Sequence, residues 1–396
     1  MRNVPKLRFK EFCGEWEEKK FDEVFSFLQN NTFSRDCLTN EKQDVQNIHY
    51  GDILVKYNDI LEIDDKIPYI KKENSLEKFN SESYLKTGDI VIADTAEDFT
   101  VGKTIEIYNP EQKKVLSGLH TFSCRTNFDF ALGYLGQYLN TEKYHSQLIP
   151  LITGIKVSSI SKNSIKGTKI SFPIIKEQQK IANFLSSIDK KISITEEKLD
   201  LFKDYKKGVM QKIFNQELRF KDSKGNDYPE WEEKKLDDIM KVSSSTISQN
   251  TLEDNQGEYI IYGATGEIKK IDFYDKEKEY IGIVKDGAGV GRCFYCEEKS
   301  SVLATLNYLD IKENNNLKFC YYILNKIDFT KYIVGSSIPH IYFKDYKFEK
   351  IQLPCLEEQE KIANFLSSID KKIDNLIAEL ENLKEFKKGL LQQMFV

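Results

Sequence analysis

The sequence predicts an α+β protein made of two similar domains of mixed strands and helices, separated by two long antiparallel coiled-coil helices. The segment KIANFLSSIDKKI occurs at 180–192 and again, letter for letter, at 361–373. This match extends without a gap from 154–214 onto 335–395, at a constant offset of 181 positions. A long internal repeat dictates the architecture, so the chain contains one unit twice, with a pseudo-two-fold relation between the copies.

A second repeat precedes each variable region. The opening LRFKEFCGEWEEKKFDEV at 7–24 is similar to LRFKDSKGNDYPEWEEKKLDDI at 218–239, and we call these two segments the openers. The order along the chain is therefore opener, variable region and helix, written twice. It predicts four segments, which are a first domain, a central helix, a second domain and a C-terminal helix at 1–176, 177–215, 216–356 and 357–396.

The two variable regions read as strands and turns with glycine punctuation. Apart from a loose parallel between 101–103 and 290–292, their sequences differ, so the connecting parts are constant while the domains vary. The stretches predicted to form strands are NIHYGDILVKY, YLKTGDIVIADT and VGKTIEIY in the first domain, and YIIYGATGEI, EYIGIVKDGAGVGRCFYC and SVLATLNYLDI in the second.

Each repeated helix carries apolar residues at alternating spacings of four and three, which is typical of a helix that packs along another helix. Pro173 and Pro354 mark the approach to each helix. Burial of each stripe in the core of its own domain is the alternative, and the length of the helices argues against it. By symmetry the C-terminus should lie near the first opener. The residues predicted to pair the helices are Ile181, Leu185, Ile188, Ile192, Leu199, Phe202, Ile362, Leu366, Ile369, Ile373, Leu380 and Leu383.

Composition limits the classes of function. The net charge is −5 and no segment is strongly basic, so a nucleic acid would have to bind to local patches. No run of 18 apolar residues occurs, and the first residues lack the apolar core of a secretory signal. The seven cysteines are odd in number and irregularly spaced, which favours reduced thiols in a cytoplasmic protein.

Three short motifs have competing interpretations. Cys293 and Cys296 could contribute to a zinc site, or be two ordinary strand residues. The glycine-rich stretch 286–291 could be a nucleotide loop, a hairpin in which glycine supplies positive φ, or a backbone that approaches DNA. Glu232 and Lys234 form the Glu-x-Lys element of some nucleases, but a solvated helix start explains the same WEEKK residues.

The duplicated element Glu-Gln-x-Lys-Ile-Ala-x-Phe-Leu-Ser-x-Ile-Asp at 177–189 and 358–370 is the most specific motif. Together with the WEEKK openers and the motifs at 51–53 and 262–266, it resembles the specificity subunit of type I restriction–modification systems over essentially the whole chain. The resemblance implies two target-recognition domains, each reading one half of an asymmetric bipartite site in double-stranded DNA. It also implies that the helices set the spacing between the two half-sites and dock two methyltransferase subunits. Two restriction/translocase subunits are then expected to join this complex.

The resemblance further implies a subunit without catalytic activity or cofactor of its own, with S-adenosylmethionine, ATP and Mg²⁺ bound by the partner subunits. The competing hypothesis is a coiled-coil adaptor whose heads bind proteins. Lysines would clamp phosphates, while arginine, serine, threonine and histidine would bond to base edges. The candidate DNA contacts, chosen as polar and basic residues in turn-like stretches, are Lys103, His120, Thr121, Lys156, Thr265, Lys285, Arg292, Ser336, Ser337 and His340.

Overall fold

The computed structural model describes residues 3–154 and 156–396. The chain forms two compact units, the first comprising Met1–Glu196 with Ala378–Val396 and the second comprising Glu197–Ile377. Each unit therefore takes part of both long helices, whereas the sequence boundaries treat each helix as a segment of its own. Within the described residues, no helix combines the length and the apolar character needed to span a membrane.

The first unit contains a five-stranded sheet of order β2-β11-β7-β9-β5 and a four-stranded sheet of order β10-β4-β6-β3. Its strands are β1 (Glu17–Lys20), β2 (Phe25–Phe27), β3 (Leu38–Thr39), β4 (Gln46–Ile48), β5 (Ile60–Glu62), β6 (Tyr69–Ile70), β7 (Ile90–Ala93), β8 (Thr95–Ala96), β9 (Thr104–Tyr108), β10 (Val115–Ser117), β11 (Thr121–Thr126), β12 (Ser158–Ser159) and β13 (Lys169–Phe172). Its helices are α1 (Phe21–Val24), α2 (Tyr50–Val55), α3 (Tyr134–Leu139), α4 (Glu142–Leu148), α5 (Lys162–Ile165) and the first part of α6 (Ile175–Phe214).

The second unit is built on a four-stranded sheet of order β15-β21-β18-β19. Its strands are β14 (Glu232–Lys235), β15 (Met240–Ser244), β16 (Tyr259–Gly263), β17 (Gly266–Ile271), β18 (Tyr280–Val284), β19 (Cys293–Cys296), β20 (Ser301–Val302), β21 (Leu306–Ile311) and β22 (Lys350–Leu353). Its helices are α7 (Leu236–Ile239), α8 (Leu317–Leu324), α9 (Phe343–Tyr346) and most of α10 (Leu356–Met394). The antiparallel order β15-β21-β18-β19 repeats β2-β11-β7-β9 of the first unit, so two diverged sequences share one sheet frame.

The long helices run antiparallel within each unit, as the heptad pattern predicts. In the first unit Lys387 pairs with Asp189 at 2.6 Å, and Glu379 pairs with Lys191 at 3.2 Å. In the second unit Lys206 pairs with Asp370, and the ammonium group of Lys372 lies 5.7 Å from the ring centre of Phe202. Every residue predicted to pair the helices is buried or half-buried.

The same apolar stripes also belong to the cores of the units. Ile181, Leu185 and Ile188 share one core with Leu390 and Met394 of α10, and also with aromatic and aliphatic residues of α3 and β13. The second unit repeats this arrangement with Ile362, Leu366 and Ile369 against the end of α6 and residues of α8. Helix pairing and domain-core burial, posed as alternatives by the sequence, are therefore both true.

The first opener closes onto the end of α10, which confirms the predicted proximity of the C-terminal residues to it. The backbone N–H of Leu7 donates to the carbonyl oxygen of Gln393 at 2.9 Å. In the second unit Leu218 donates in the same way to Lys212 at 3.2 Å. Lys212 and Gln393 are separated by the repeat offset of 181, so the two contacts are equivalent.

A duplicated glutamate at the start of each long helix attaches the opener to that helix. Glu177 is fully buried and accepts two hydrogen bonds from Arg8, at 2.8 and 2.7 Å. Glu358 is equally buried and accepts two from Arg219, at 3.2 and 2.8 Å. These charge-assisted pairs explain why the opener and the helix start are repeated together.

Two local predictions from the sequence are wrong. The stretch NIHYGDILVKY is only partly a strand, because helix α2 follows β4 and His49 Nδ1 caps it by accepting from the backbone of Gly51 at 3.1 Å. The WEEKK residues are not a helix start, since they form β1 and β14, which pair with β13 and β22. Local sequence patterns cannot predict pairing with a strand that lies about 120–150 residues away.

Candidate nucleic-acid interface

In the first unit, residues 94–103 form a loop between the central strands β7 and β9 that contains β8. The loop ends in a tight turn at Gly102, whose φ of +91° is costly for other residues. The backbone N–H of Gly102 donates to Ala93, and that of Ala93 donates to Lys103, both at 2.9 Å. These bonds fix the backbone position of Lys103 at the end of the loop.

In the second unit, residues 285–292 connect β18 to β19 in the same way. Gly291 has a φ of +85° and donates to Val284, which donates to Arg292, again both at 2.9 Å. Arg292 therefore occupies the position that Lys103 occupies in the first unit. The hairpin interpretation of the glycine-rich stretch is confirmed, and the strand that follows it excludes the strand–loop–helix geometry of a dinucleotide fingerprint.

A second loop lies beside the first in each unit and is closed by a pair of backbone hydrogen bonds. Thr153 and Ser159 exchange bonds of 2.9 and 2.8 Å, and Val334 and His340 exchange two of 2.9 Å. The residue that follows each second loop donates a backbone hydrogen bond to the first loop. Ile160 donates to the carbonyl oxygen of Asp94, and Ile341 donates to that of Lys285, both at 2.9 Å.

The two units thus present the same backbone frame with different side chains. Equivalent backbone positions follow from the matched hydrogen bonds, the β8–β12 pairing and the Asp286–His340 bridge. The side chains at these positions differ in charge or in hydrogen-bonding groups, and the pairs are Asp94 with Lys285, Thr95 with Asp286, Lys103 with Arg292, Lys156 with Ser337 and Ser159 with His340.

The predicted contacts of the second unit come together on these loops. Arg292 is exposed, and its Nη1 donates to the carbonyl of Ala264 at 3.1 Å, next to exposed Thr265 in the β16–β17 turn. This bond orients the guanidinium, and the other guanidinium N–H groups donate to no atom of the described residues. An oriented arginine with free donors is suited to two acceptors on one base edge or phosphate.

The remaining candidates of this unit flank that arginine. Lys285 has a 23% exposed side chain, whose Nζ lies 3.9 Å from Asp286 Oδ2. Ser336 and Ser337 are exposed at the tip of the second loop. The ring of His340 packs edge-on against Tyr342, and its Nδ1 lies 3.1 Å from the carbonyl of Ile338.

In the first unit, His120 and Lys156 are exposed near the same frame. The ring of His120 lies 3.3 Å from Thr95 Oγ1 and packs edge-on against Tyr50, at 5.3 Å between ring centres. The φ of His120 is +56°, an uncommon backbone conformation outside glycine that often marks functional positions. Lys156 lies on the second loop.

The other two candidates of the first unit face inward. Lys103 Nζ donates to the carbonyl of Leu54 at 3.1 Å, and burial lowers the pKa of this ammonium. Thr121 is 1% exposed, and its Oγ1 donates to the carbonyl of Gly118 at 2.6 Å. Contact with DNA by either side chain would require these internal bonds to be given up.

A charged cluster beside His120 was missed by the sequence reasoning. Arg35 donates two hydrogen bonds to Asp52, at 2.7 and 3.0 Å, and Lys56 approaches the same carboxylate at 2.8 Å. Burial would raise the pKa of Asp52, but these two cations lower it overall. Arg35 is half exposed and also touches His49 at 3.3 Å. The motif at 51–53 contributes to the family resemblance given above, but nothing in the local sequence indicated Arg35.

Two exposed apolar side chains at the loop tips were not predicted, because polar and basic groups are the usual contacts to DNA. Phe99 is 75% exposed on the first loop of the first unit, and Ile338 is 65% exposed on the second loop of the second unit. Within the described ranges, no group of three or more histidines, cysteines or acids is arranged to hold a metal ion. Cys293 and Cys296 are buried on β19, and burial raises the pKa of Cys296 to about 12.

Comparison with known proteins gives consistent matches. The family model of the type I restriction modification DNA specificity domain matches residues 14–201 and 228–385. A putative type I restriction enzyme MjaX specificity subunit of Methanocaldococcus jannaschii is 26% identical over 98% of this chain and 95% of its own length. The MjaVIII specificity subunit of the same organism is 26% identical over 60% of this chain and 64% of its own.

Solved structures show the same fold at low sequence identity. The S subunit of a type I restriction-modification system from M. genitalium superposes with a TM-score of 0.65 at 16% identity, covering 99% of both chains. A chain from a structure of type I R-M complex assembly and conformational transition gives a TM-score of 0.56 at 16% identity, covering 96% of this chain and 97% of its own.

Proposed function

This chain belongs to the family of type I restriction–modification DNA specificity subunits, and on that premise we propose that each of its two target-recognition domains reads one half of an asymmetric, bipartite site in double-stranded DNA. The observation that carries the proposal is the shared loop frame with different side chains. A constant frame would place both domains on DNA in the same way, while unlike side chains would select unlike sequences.

The second domain offers the clearest base-reading group. Arg292 is exposed, is oriented by Ala264 and retains free donors, and arginine most often contacts the two acceptors on the major-groove edge of guanine. Lys285 would contact phosphate nearby. In the first domain the equivalent residue, Lys103, faces inward. The DNA contacts of this domain would instead come from His120, Lys156 and the half-exposed Arg35. This difference supports an asymmetric target.

Net charge supports a division of labour between the subunits. The chain carries a net charge of −5, so the cations of the loops work against an acidic background. The isolated protein should bind DNA weakly with a shallow salt dependence, because few phosphates are neutralised. Tight binding with a steep salt slope in the absence of partners would contradict this.

Family membership also bears on catalysis and partners. The family is the DNA-recognition component of multi-subunit restriction–modification systems. We propose that this subunit performs no chemistry, that the long helices set the spacer and dock two methyltransferase subunits, and that two restriction/translocase subunits join them in the cytoplasm. S-adenosylmethionine, ATP and Mg²⁺ would then be bound by those partners. The unbroken 40-residue helix α6, about 60 Å long, suits a ruler.

Modification mapping tests the proposal. The chain is expressed with its methyltransferase subunit in a host that lacks adenine methylation, and the DNA is sequenced for modified adenine. We expect one split, asymmetric motif. Arg292→Ala should relax the requirement for one base, worth about 1–3 kcal/mol of discrimination, in one half of the motif only.

The matched control is Lys224→Ala, which removes an exposed cation from the second opener, a segment that belongs to neither loop. It should leave both halves of the motif unchanged. A correctly assembled complex that modifies no motif would favour the adaptor hypothesis. A change in both halves caused by Arg292→Ala alone would refute the assignment of one half-site to each domain.

A further inference from the structure

An aliphatic side chain is exposed at the same position of the second loop in each unit. Ile338 is 65% exposed in the second unit, and Val157 is 50% exposed in the first. The two residues are separated by the repeat offset of 181. Both are β-branched, so their side chains have few conformations to lose when another molecule covers them.

The backbone beneath each of these residues is held in the same way. A Cβ atom added at Gly154 would collide with the carbonyl oxygen of Val157, and one added at Gly335 would collide with that of Ile338. Both glycines also have a positive φ, of +105° and +89°. Each loop therefore needs a glycine where the chain passes close to the carbonyl of the aliphatic residue. The two aliphatic side chains occupy equivalent places in the shared loop frame.

The polar residues around these side chains change between the units, whereas the aliphatic character does not. The residues directly before them are Lys156 and Ser337, and the residues two positions after them are Ser159 and His340. Single exposed apolar residues are normal on a protein surface. One that recurs at an equivalent position, within a surface that has otherwise diverged, indicates a feature common to the two ligands.

The two half-sites that the domains are proposed to read share one such feature. Each of the two methyltransferase subunits would modify one adenine, in one half of the site. Every modified adenine pairs with a thymine, whose 5-methyl group lies in the major groove and is recognised by apolar side chains. Arg292 would read guanine in the same groove, and its loop adjoins Ile338 because Gly287 donates to the carbonyl oxygen of Pro339 at 2.9 Å.

We propose that Val157 and Ile338 each contact the 5-methyl group of the thymine that pairs with the modified adenine, one in each half-site. The proposal rests on the proposed function. The common aliphatic side chain recognises the base pair that both halves share, and the differing polar residues around it select the bases in which the halves differ. Burial of one methyl group against the side chain is worth about fourfold in affinity.

Replacement of that thymine by deoxyuridine tests the contact, because it removes the methyl group and leaves base pairing intact. Once modification mapping has identified the motif, affinity is measured for the complex of this chain with its methyltransferase subunits, on duplexes with thymine or deoxyuridine at either position. The wild-type complex should bind each deoxyuridine duplex about fourfold more weakly. Ile338→Ala should abolish this sensitivity in the half-site of the second domain only, and Val157→Ala in the other half-site only.

The matched control is Ile174→Ala. Ile174 is as exposed as Ile338, at 65%, but it lies directly before α6 and outside both loops. This variant should keep the wild-type sensitivity in both half-sites.

Equal binding of thymine and deoxyuridine duplexes by the wild-type complex would overturn the methyl contact and leave the proposed function intact. The same conclusion would follow if the alanine variants at 157 and 338 kept the wild-type sensitivity. If those variants also bound fewer methyltransferase subunits in native mass spectrometry, the two side chains would be contacts to protein instead of DNA. A correctly assembled wild-type complex that modifies no motif would overturn both proposals.

Discussion

The two buried glutamates that hold the openers give a matched pair of perturbations. Glu177→Gln and Glu358→Gln keep side-chain volume but remove the charge that Arg8 and Arg219 contact. The two sites differ in one hydrogen bond, since Trp231 Nε1 donates to Glu358 at 3.0 Å. Glu358→Gln should therefore destabilise the second unit more than Glu177→Gln destabilises the first.

The structure sets the magnitudes. Breaking a buried ion pair costs about 3–5 kcal/mol, and the 13% and 21% exposure of the two arginine side chains brings this to about 2–4 kcal/mol. The indole bond to a charged acceptor adds about 1–2 kcal/mol at Glu358. In the first unit the corresponding Nε1 of Trp16 is buried and has no hydrogen-bond partner among the described residues, so no equivalent loss follows there.

Hydrogen-exchange mass spectrometry in increasing denaturant measures the two units separately, each against the same unit of the wild-type chain. Trp231→Phe completes a double-mutant cycle with Glu358→Gln, and the coupling should be about 1–2 kcal/mol. Trp16→Phe combined with Glu177→Gln is the control, with a coupling near zero. Equal losses for the two glutamine variants, or equal couplings in the two cycles, would refute the reasoning.

Three further predictions concern the first unit. Burial raises the pKa of Glu106 from 4.5 to about 7. The stability that Glu106 contributes is therefore fully present below pH 4.5 and is lost as the pH rises to about 7. Glu106→Gln should remove this pH dependence from the stability measured by hydrogen exchange across that range. Phe395→Ala should cost about 3–5 kcal/mol in denaturant titrations of the first unit and leave exchange in the second unit unchanged, because the ring is fully buried in the first core. Lys387→Met should cost about 2–3 kcal/mol in the same titrations, because it leaves the carboxylates of Asp59 and Asp189 without their shared cation; a loss below 0.5 kcal/mol would show that solvent replaces it.

The features predicted correctly are those written in local or repeated patterns. The heptad spacing of the long helices is a local signal sustained over about nine turns, and it predicted both the helices and their pairing. The repeat offset placed the end of α10 against the first opener without any knowledge of packing. The hairpin at 286–291 was indicated by its glycines, because the ability to adopt a positive φ belongs to glycine itself and does not depend on distant partners.

The features that escaped prediction depend on distant partners. The WEEKK strands form because β13 and β22 return beside them. Lys103 was expected at the surface, yet an accepting carbonyl 49 residues away draws it inward. The Arg35–Asp52 pair joins residues 17 positions apart, between which no helical or strand period applies. Charge and glycine content led to the loops of the candidate interface, but they did not indicate which side chains on those loops are exposed.

The sharing of α10 between the units sets the order in which the chain can fold during synthesis. Leu390, Met394 and Phe395 belong to the core of the first unit, so that core stays incomplete until residues 378–396 have left the ribosome. At 5–20 residues per second, the stretch between Glu196 and Ala378 takes about 10–40 s to synthesise. The second unit is continuous from Glu197 to Ile377 and can close during that interval. We therefore expect the second unit to close before the first, against the usual N-terminal-first order, and we expect a truncated product to keep an open first core that chaperones and proteases recognise.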